Sequence, residues 1–154
     1  MEENSALDEF KQGLNLLRNG RSAEAIEYLR HAATLEQQNP YYLSFLGVSV
    51  ARAKRKGAAA VELCEKALRL KRDEPQFYLN LGEVYVSAGR REEAIEVLDM
   101  ALTRFRNNVR IKRERNNFGK RSTQVLPFLS REHFLNRTLG RLRHKTLKRL
   151  QGAH

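Results

Sequence analysis

The stretch that decides the fold is PQFYLNLGEVYVSAGRREEAIEVLDMALTRFRNN, residues 75–108. Pro75 suits the first turn of a helix, where its missing N–H has no partner to lose. Tyr78, Leu81, Gly82 and Tyr85 then follow at helical spacing, Gly89 supplies a turn, and Ala94, Ile95, Leu98, Ala101 and Leu102 line a second helix. The stretch therefore reads as a hairpin of two amphipathic helices.

Moving outward, the same small residues return one hairpin earlier and again one before that. Gly13, Gly47 and Gly82 are 34 and 35 residues apart. Ala25, Ala60 and Ala94 keep step with them, as do Ala32, Ala67 and Ala101. A glycine inside a helix costs about 1 kcal/mol against alanine, so its return in every unit implies close helix packing. A period of this length marks one supersecondary piece that buries its apolar face only against its neighbours. Three units follow, at about 5–39, 40–74 and 75–108. In the first, Ser5 is the expected helix cap with Asp8 in the capping-box place, Asn19-Gly20 makes the turn, and Ser22 is expected to cap the second helix. The second opens at Pro40, carries Leu43, Leu46, Gly47 and Val50, and turns between Lys54 and Gly57. Its second helix carries Ala60, Val61, Cys64, Ala67 and Leu68.

This pattern resembles the tetratricopeptide repeat, a helix-turn-helix unit of about 34 residues with a Leu-Gly step, an aromatic, a turn glycine and an Ala-rich second helix. The third unit carries the resemblance best, through Tyr78, Leu81, Gly82, Tyr85, Gly89, Ala94, Leu98 and Ala101. The second keeps Leu46-Gly47 and Ala60 but lacks the turn glycine in register. The first has Glu9 where the family usually has an aromatic and Gln12 in place of leucine. The fold implied is an all-α, right-handed α-solenoid of three units over residues 5–108. A basic extension follows at 109–154, with an amphipathic helix at about 131–150.

Charge divides the chain at the same place. The net charge is +11, and residues 1–108 carry equal numbers of acids and bases. Residues 109–154 hold 13 Lys/Arg against only Glu114 and Glu132. Such a block points to a separate task for the tail. Within it Asn108 is placed to cap a short helix from Val109 to Arg115, Asn116 to Thr123 reads as a loop, and Ser130 starts the longer helix. Leu135, Leu139, Leu142, Thr146 and Leu150 make its apolar stripe, opposite Arg137, Arg141, Lys145 and Lys148. Three readings stay open for that helix. It caps the apolar end of the third unit, as solenoids require, or fills the chain's own groove. Alternatively its basic face meets a polyanion: nucleic acid, the ribosome or an anionic membrane surface. Six phosphate contacts would make that affinity fall on the order of a thousandfold between 50 and 200 mM salt.

The resemblance implies a concave face made by the first helix of each unit. Helical spacing puts Leu7, Phe10, Lys11, Leu14, Leu17 and Arg18 there from the first unit. Tyr41, Ser44, Phe45, Val48, Ala51 and Arg52 follow from the second, and Gln76, Leu79, Asn80, Glu83 and Val86 from the third. Either this face beds a helix or extended peptide of a protein partner, or its aromatics pack within the solenoid. Some members of the family hold acidic chaperone tails through a clamp of Lys, Asn and Arg. Here Phe10, Leu14, Phe45, Gln76 and Asn80 occupy those places, which disfavours that role.

No catalytic constellation is legible, and no cofactor, metal or small-molecule substrate is expected. Gly119-Lys120 lacks the hydroxyl residue and first glycine of a phosphate loop. His31, His133, His144 and His154 have no metal-ligand spacing. Asn136-Arg137-Thr138 is a glycosylation triplet without a secretory route. The acidic opening, the absence of a 20-residue apolar run and the lone Cys64 lead to the expectation of a cytoplasmic, non-enzymatic adaptor or assembly factor.

Overall fold

Seven helices follow one another in a computed structural model that describes residues 5–54 and 57–119. They are α1 (Ala6–Arg18), α2 (Ser22–Leu35), α3 (Pro40–Lys54), α4 (Gly57–Leu70), α5 (Pro75–Ser87), α6 (Arg91–Arg104) and α7 (Val109–Gly119). The expected helix at 131–150 lies outside the described residues.

Side-chain acceptors set where the inner helices begin. Ser5 accepts the Asp8 N–H before α1 and donates its hydroxyl to the Asp8 carboxylate at 2.7 Å. Asn39 accepts the Tyr41 N–H, Glu74 the Gln76 N–H and Asn108 the Ile111 N–H, at 3.0, 3.2 and 3.1 Å. Each satisfies a donor that the helix itself leaves over. The second helices start differently. Ser22 is the first residue inside α2, and Arg21 precedes it without a side-chain cap. The serine is buried instead of capping, which corrects the sequence expectation. Gly20 and Gly89 take φ of 76° and 80° and end α1 and α5. In both turns a backbone N–H reaches back to close the helix: Arg21 to the Leu16 carbonyl at 2.9 Å and Arg90 to the Tyr85 carbonyl at 2.8 Å. That is the left-handed glycine stop.

The repeated small residues are the spine. Ala25, Ala32, Ala60, Ala67, Ala94 and Ala101 are all fully buried, and so are Leu29, Cys64 and Leu98, which face the glycines of the paired helices. Phe77 is the largest fully enclosed side chain. Burying apolar area at about 25 cal/mol per Å² is what holds the stack together.

The last described helix departs from expectation twice. It runs to Gly119 rather than stopping at Arg115, so Asn116–Gly119 are helical rather than loop. It also packs on α6 and α5 as part of the same compact unit, which ends at Gly119 rather than Asn108. Ile111 is fully buried there, and Arg115 grips Asp99 of α6 at 2.8 and 3.2 Å. The apolar end of the third unit is therefore closed by α7.

Candidate functional site

Curvature comes from which helices touch. Among the described residues α1 meets α3, α3 meets α5 and α5 meets α7, whereas α2, α4 and α6 do not meet one another. Close inner helices and splayed outer ones bend the stack, leaving an inner face made by α1, α3 and α5.

The inner face is open at some predicted positions and closed at others. Leu7 is 51% exposed, Lys11, Arg18 and Arg52 are exposed, and Phe10, Leu14, Tyr41, Phe45, Gln76, Glu83 and Val86 are half-buried. Leu17, Ser44, Val48, Ala51, Leu79 and Asn80 are buried. They were expected to line the face. They sit instead in the seams where neighbouring helices meet, and form the floor behind it. The apolar strip is thus narrower than helical spacing alone suggests.

Aromatic contacts stiffen the strip. Phe10 lies 4.8 Å from Tyr42 and 5.7 Å from Phe45, ring centroid to centroid. Tyr41 meets Phe77 edge-on at 5.0 Å, donates its hydroxyl to Glu74 at 2.8 Å and accepts from Lys71 at 3.1 Å. That bond to Tyr41 raises the Lys71 ammonium above its ordinary range. Such edge-to-face pairs are worth about 0.5–1.5 kcal/mol beyond their area.

Polar bonds tie the helices across the other half of the face. Arg52 of α3 grips Glu83 of α5 through two N–H donors at 2.5 and 2.9 Å. The hydrogen bonds to that carboxylate raise the guanidinium above its usual range. A second chain runs from Arg110 of α7 to Gln76, from Gln76 to Asn80, and from Asn80 to Ser44 of α3, at 3.1, 2.7 and 2.9 Å. None of these pairs was legible, because their partners lie 31 to 36 residues apart except within α5. The signal that was present is the period itself, which joins Gln76 to Arg110 across 34 residues.

The other singled-out residues prove structural. Glu9, standing where the family has an aromatic, is buried with His31 Nδ1 3.2 Å from its carboxylate. Cys64 is buried, donates to the Ser44 carbonyl at 3.4 Å, and has its thiol pushed up to about 12 by burial. Among the described residues no cluster of His, Cys, Asp or Glu is arranged to hold a metal, and no helix is long and apolar enough to cross a membrane. Arg137, Arg141, Lys145 and Lys148, the basic candidates, lie outside the described residues.

Two models described as tetratricopeptide repeat match residues 10–75 and 51–113, which together span 10–113. Solved structures share the fold at low identity. The human RPAP3 first repeat domain is 22% identical with a TM-score of 0.66, covering 75% of this chain and 91% of its own. The first repeat domain of Spaghetti, solved with the HSP90 peptide SRMEEVD, is 23% identical with a TM-score of 0.65, covering 77% and 96%. The Yersinia enterocolitica secretion chaperone SycD, solved with a peptide of the translocator YopD, is 16% identical with a TM-score of 0.59, covering 72% and 84%. Among curated proteins no sequence matches.

Proposed function

The chain belongs to the tetratricopeptide-repeat family, and from that premise we propose that it is a non-catalytic interaction module, a cytoplasmic adaptor or assembly factor. Its inner face takes a peptide or helical segment of another protein. One observation carries this: Leu7, Leu14, Tyr41 and Phe45 stay wholly or partly open to solvent together on the inner helices. Apolar strips left open on a soluble surface mark contact sites, and an amphipathic helix laid into such a strip is a recurring mode of recognition.

The kind of segment follows from what stands on the face. Spaghetti and SycD, similar in fold, are solved with peptides. In this chain Phe10, Leu14 and Phe45 replace the polar clamp residues of the relatives that hold acidic tails. Asn80 and Gln76 are already engaged with Ser44 and Arg110. The face therefore favours apolar anchors over a terminal carboxylate.

Affinity capture from native extract at 50 and 200 mM salt, with the full chain and with Phe45→Glu, tests this reading. A partner kept at both salt concentrations and lost with Phe45→Glu is the expected result. A partner indifferent to Phe45→Glu and lost at the higher salt would replace the groove by the polyanion reading.

A further inference from the structure

The residues of α7 leave no seat for a further helix of the repeat. In α1 and α3 the glycine of the repeat faces the unit's own second helix: a Cβ on Gly13 would lie 2.6 Å from Leu29 Cγ, and one on Gly47 2.5 Å from Cys64 Sγ. Asn116 stands at the same step of α7, 34 residues after Gly82, and is exposed. Lys112, also exposed, takes the place of Leu43 and Tyr78, which are both buried. Helix α7 thus sets Ile111 into the core against α5 and α6 and turns a polar side outward. It closes the third unit without opening a fourth apolar seam.

The sequence beyond it still carries an apolar stripe. Residues 131–150, outside the described residues, place Leu135, Leu139, Leu142 and Leu150 at helical spacing and hold seven Lys/Arg against one acid, Glu132. Even with that acid paired, six cations remain. The inner face does not suit so basic a segment. Its carboxylates Asp8 and Glu83 already hold Lys11 and Arg52, while Arg18 is exposed and Arg110 meets only the neutral Gln76. Nucleic acid would engage the cations and leave the leucines in water. An anionic bilayer surface takes both, with leucines at the boundary of headgroup and acyl chain and cations among the headgroups.

We infer that residues 131–150 are a membrane-surface anchor, an amphipathic helix that lies on anionic lipid with its four leucines immersed and Arg137, Arg141, Lys145 and Lys148 at the headgroups. It lies on the surface rather than spanning, because no run of the sequence approaches the roughly 20 apolar residues that a span needs. The anchor is a function separate from the inner face, and it brings the interaction module to a bilayer.

The chain has no tryptophan, so Leu139→Trp places a single reporter in the stripe. The full chain carrying it is mixed, at about 100 mM salt, with vesicles of phosphatidylcholine alone and with vesicles one-third phosphatidylserine. The expected result is binding to the phosphatidylserine vesicles, with tryptophan emission shifted to the blue and quenched by brominated lipid, and little binding to the neutral ones. Lys145→Gln and Lys148→Gln each weaken it about fivefold, the scale of one cation near an anionic surface. Leu142→Gln with Leu150→Gln abolishes it and leaves both the thermal midpoint of the solenoid and retention on a DNA duplex unchanged. Phe45→Glu leaves vesicle binding unchanged, so this inference and the inner-face reading fail separately. No vesicle binding, an unshifted tryptophan, or binding untouched by the leucine changes would overturn the proposal; tighter binding to the duplex than to the vesicles would replace lipid by nucleic acid. A lower midpoint with the leucine changes would also overturn it, by assigning the stripe to the solenoid.

Discussion

At the scale of single residues, the three repeated glycines do not do the same work. A Cβ on Gly47 would lie 2.5 Å from Cys64 Sγ and 2.9 Å from the Ala60 carbonyl oxygen, and a backbone atom cannot step aside. A Cβ on Gly82 meets Leu98 and Phe118 at 3.4 Å, an ordinary contact. A Cβ on Gly13 would lie 2.6 Å from Leu29 Cγ, so leucine faces both a crowded glycine and an uncrowded one; what singles out Gly47 is the Ala60 carbonyl, a backbone atom, among its close neighbours. Gly47→Ala should therefore lower stability by about 1–3 kcal/mol, as overpacking does. Gly82→Ala should be neutral, or stabilise by up to about 1 kcal/mol, because it removes a helical glycine. Paired urea melts of the two variants give the comparison, and equal destabilisation would show that Gly82 is as crowded as Gly47, against the contact distances. The sequence alone showed that all three positions need small residues. It did not show which are crowded, since that depends on how closely each pair of helices approaches.

At the scale of helices, α7 is where sequence reading fell short. Ser5, Asn39, Glu74 and Asn108 are 34, 35 and 34 residues apart, and each caps an inner helix. Ile111 likewise repeats Phe77 after 34 residues, and both are fully buried. The helix is thus the first half of a fourth unit. Its apolar stripe is too sparse to stand out among four cations and two asparagines, and so it read as the start of the tail. Two of those cations, Arg110 and Arg115, are spent on Gln76 and Asp99. The start of α7 at Val109 and its Asn108 cap were legible, as were the six helices before it, which small residues, prolines and turn glycines punctuate. A fragment of residues 1–119 should fold, and one of residues 1–108 should melt lower. Losing the Ile111 side chain alone is worth about 2–5 kcal/mol, and about 4–8 °C of melting temperature accompanies each kcal/mol in a domain of this size. Thermal melts by circular dichroism decide this, and equal midpoints would remove α7 from the structural unit.

At the scale of the whole described unit, function is a matter of curvature. Inner helices that touch and outer helices that do not leave one face with an apolar strip and the other with a cleft. The inner face was legible in outline from helical spacing. Its true width was not, because burial of Leu17, Val48 and Leu79 depends on how closely successive hairpins approach. The polar bonds across it were hidden for a related reason: only the stack brings Arg52 to Glu83. The outer cleft left no trace in the periodicity, since its lining mixes core positions with ordinary charged ones. The most direct measurement is photo-crosslinking of the captured partner from benzoylphenylalanine placed in turn at Phe45, on the inner face, and at Tyr28, exposed on α2. Adducts from position 45 and none from position 28 are predicted; adducts from position 28 alone would contradict the account.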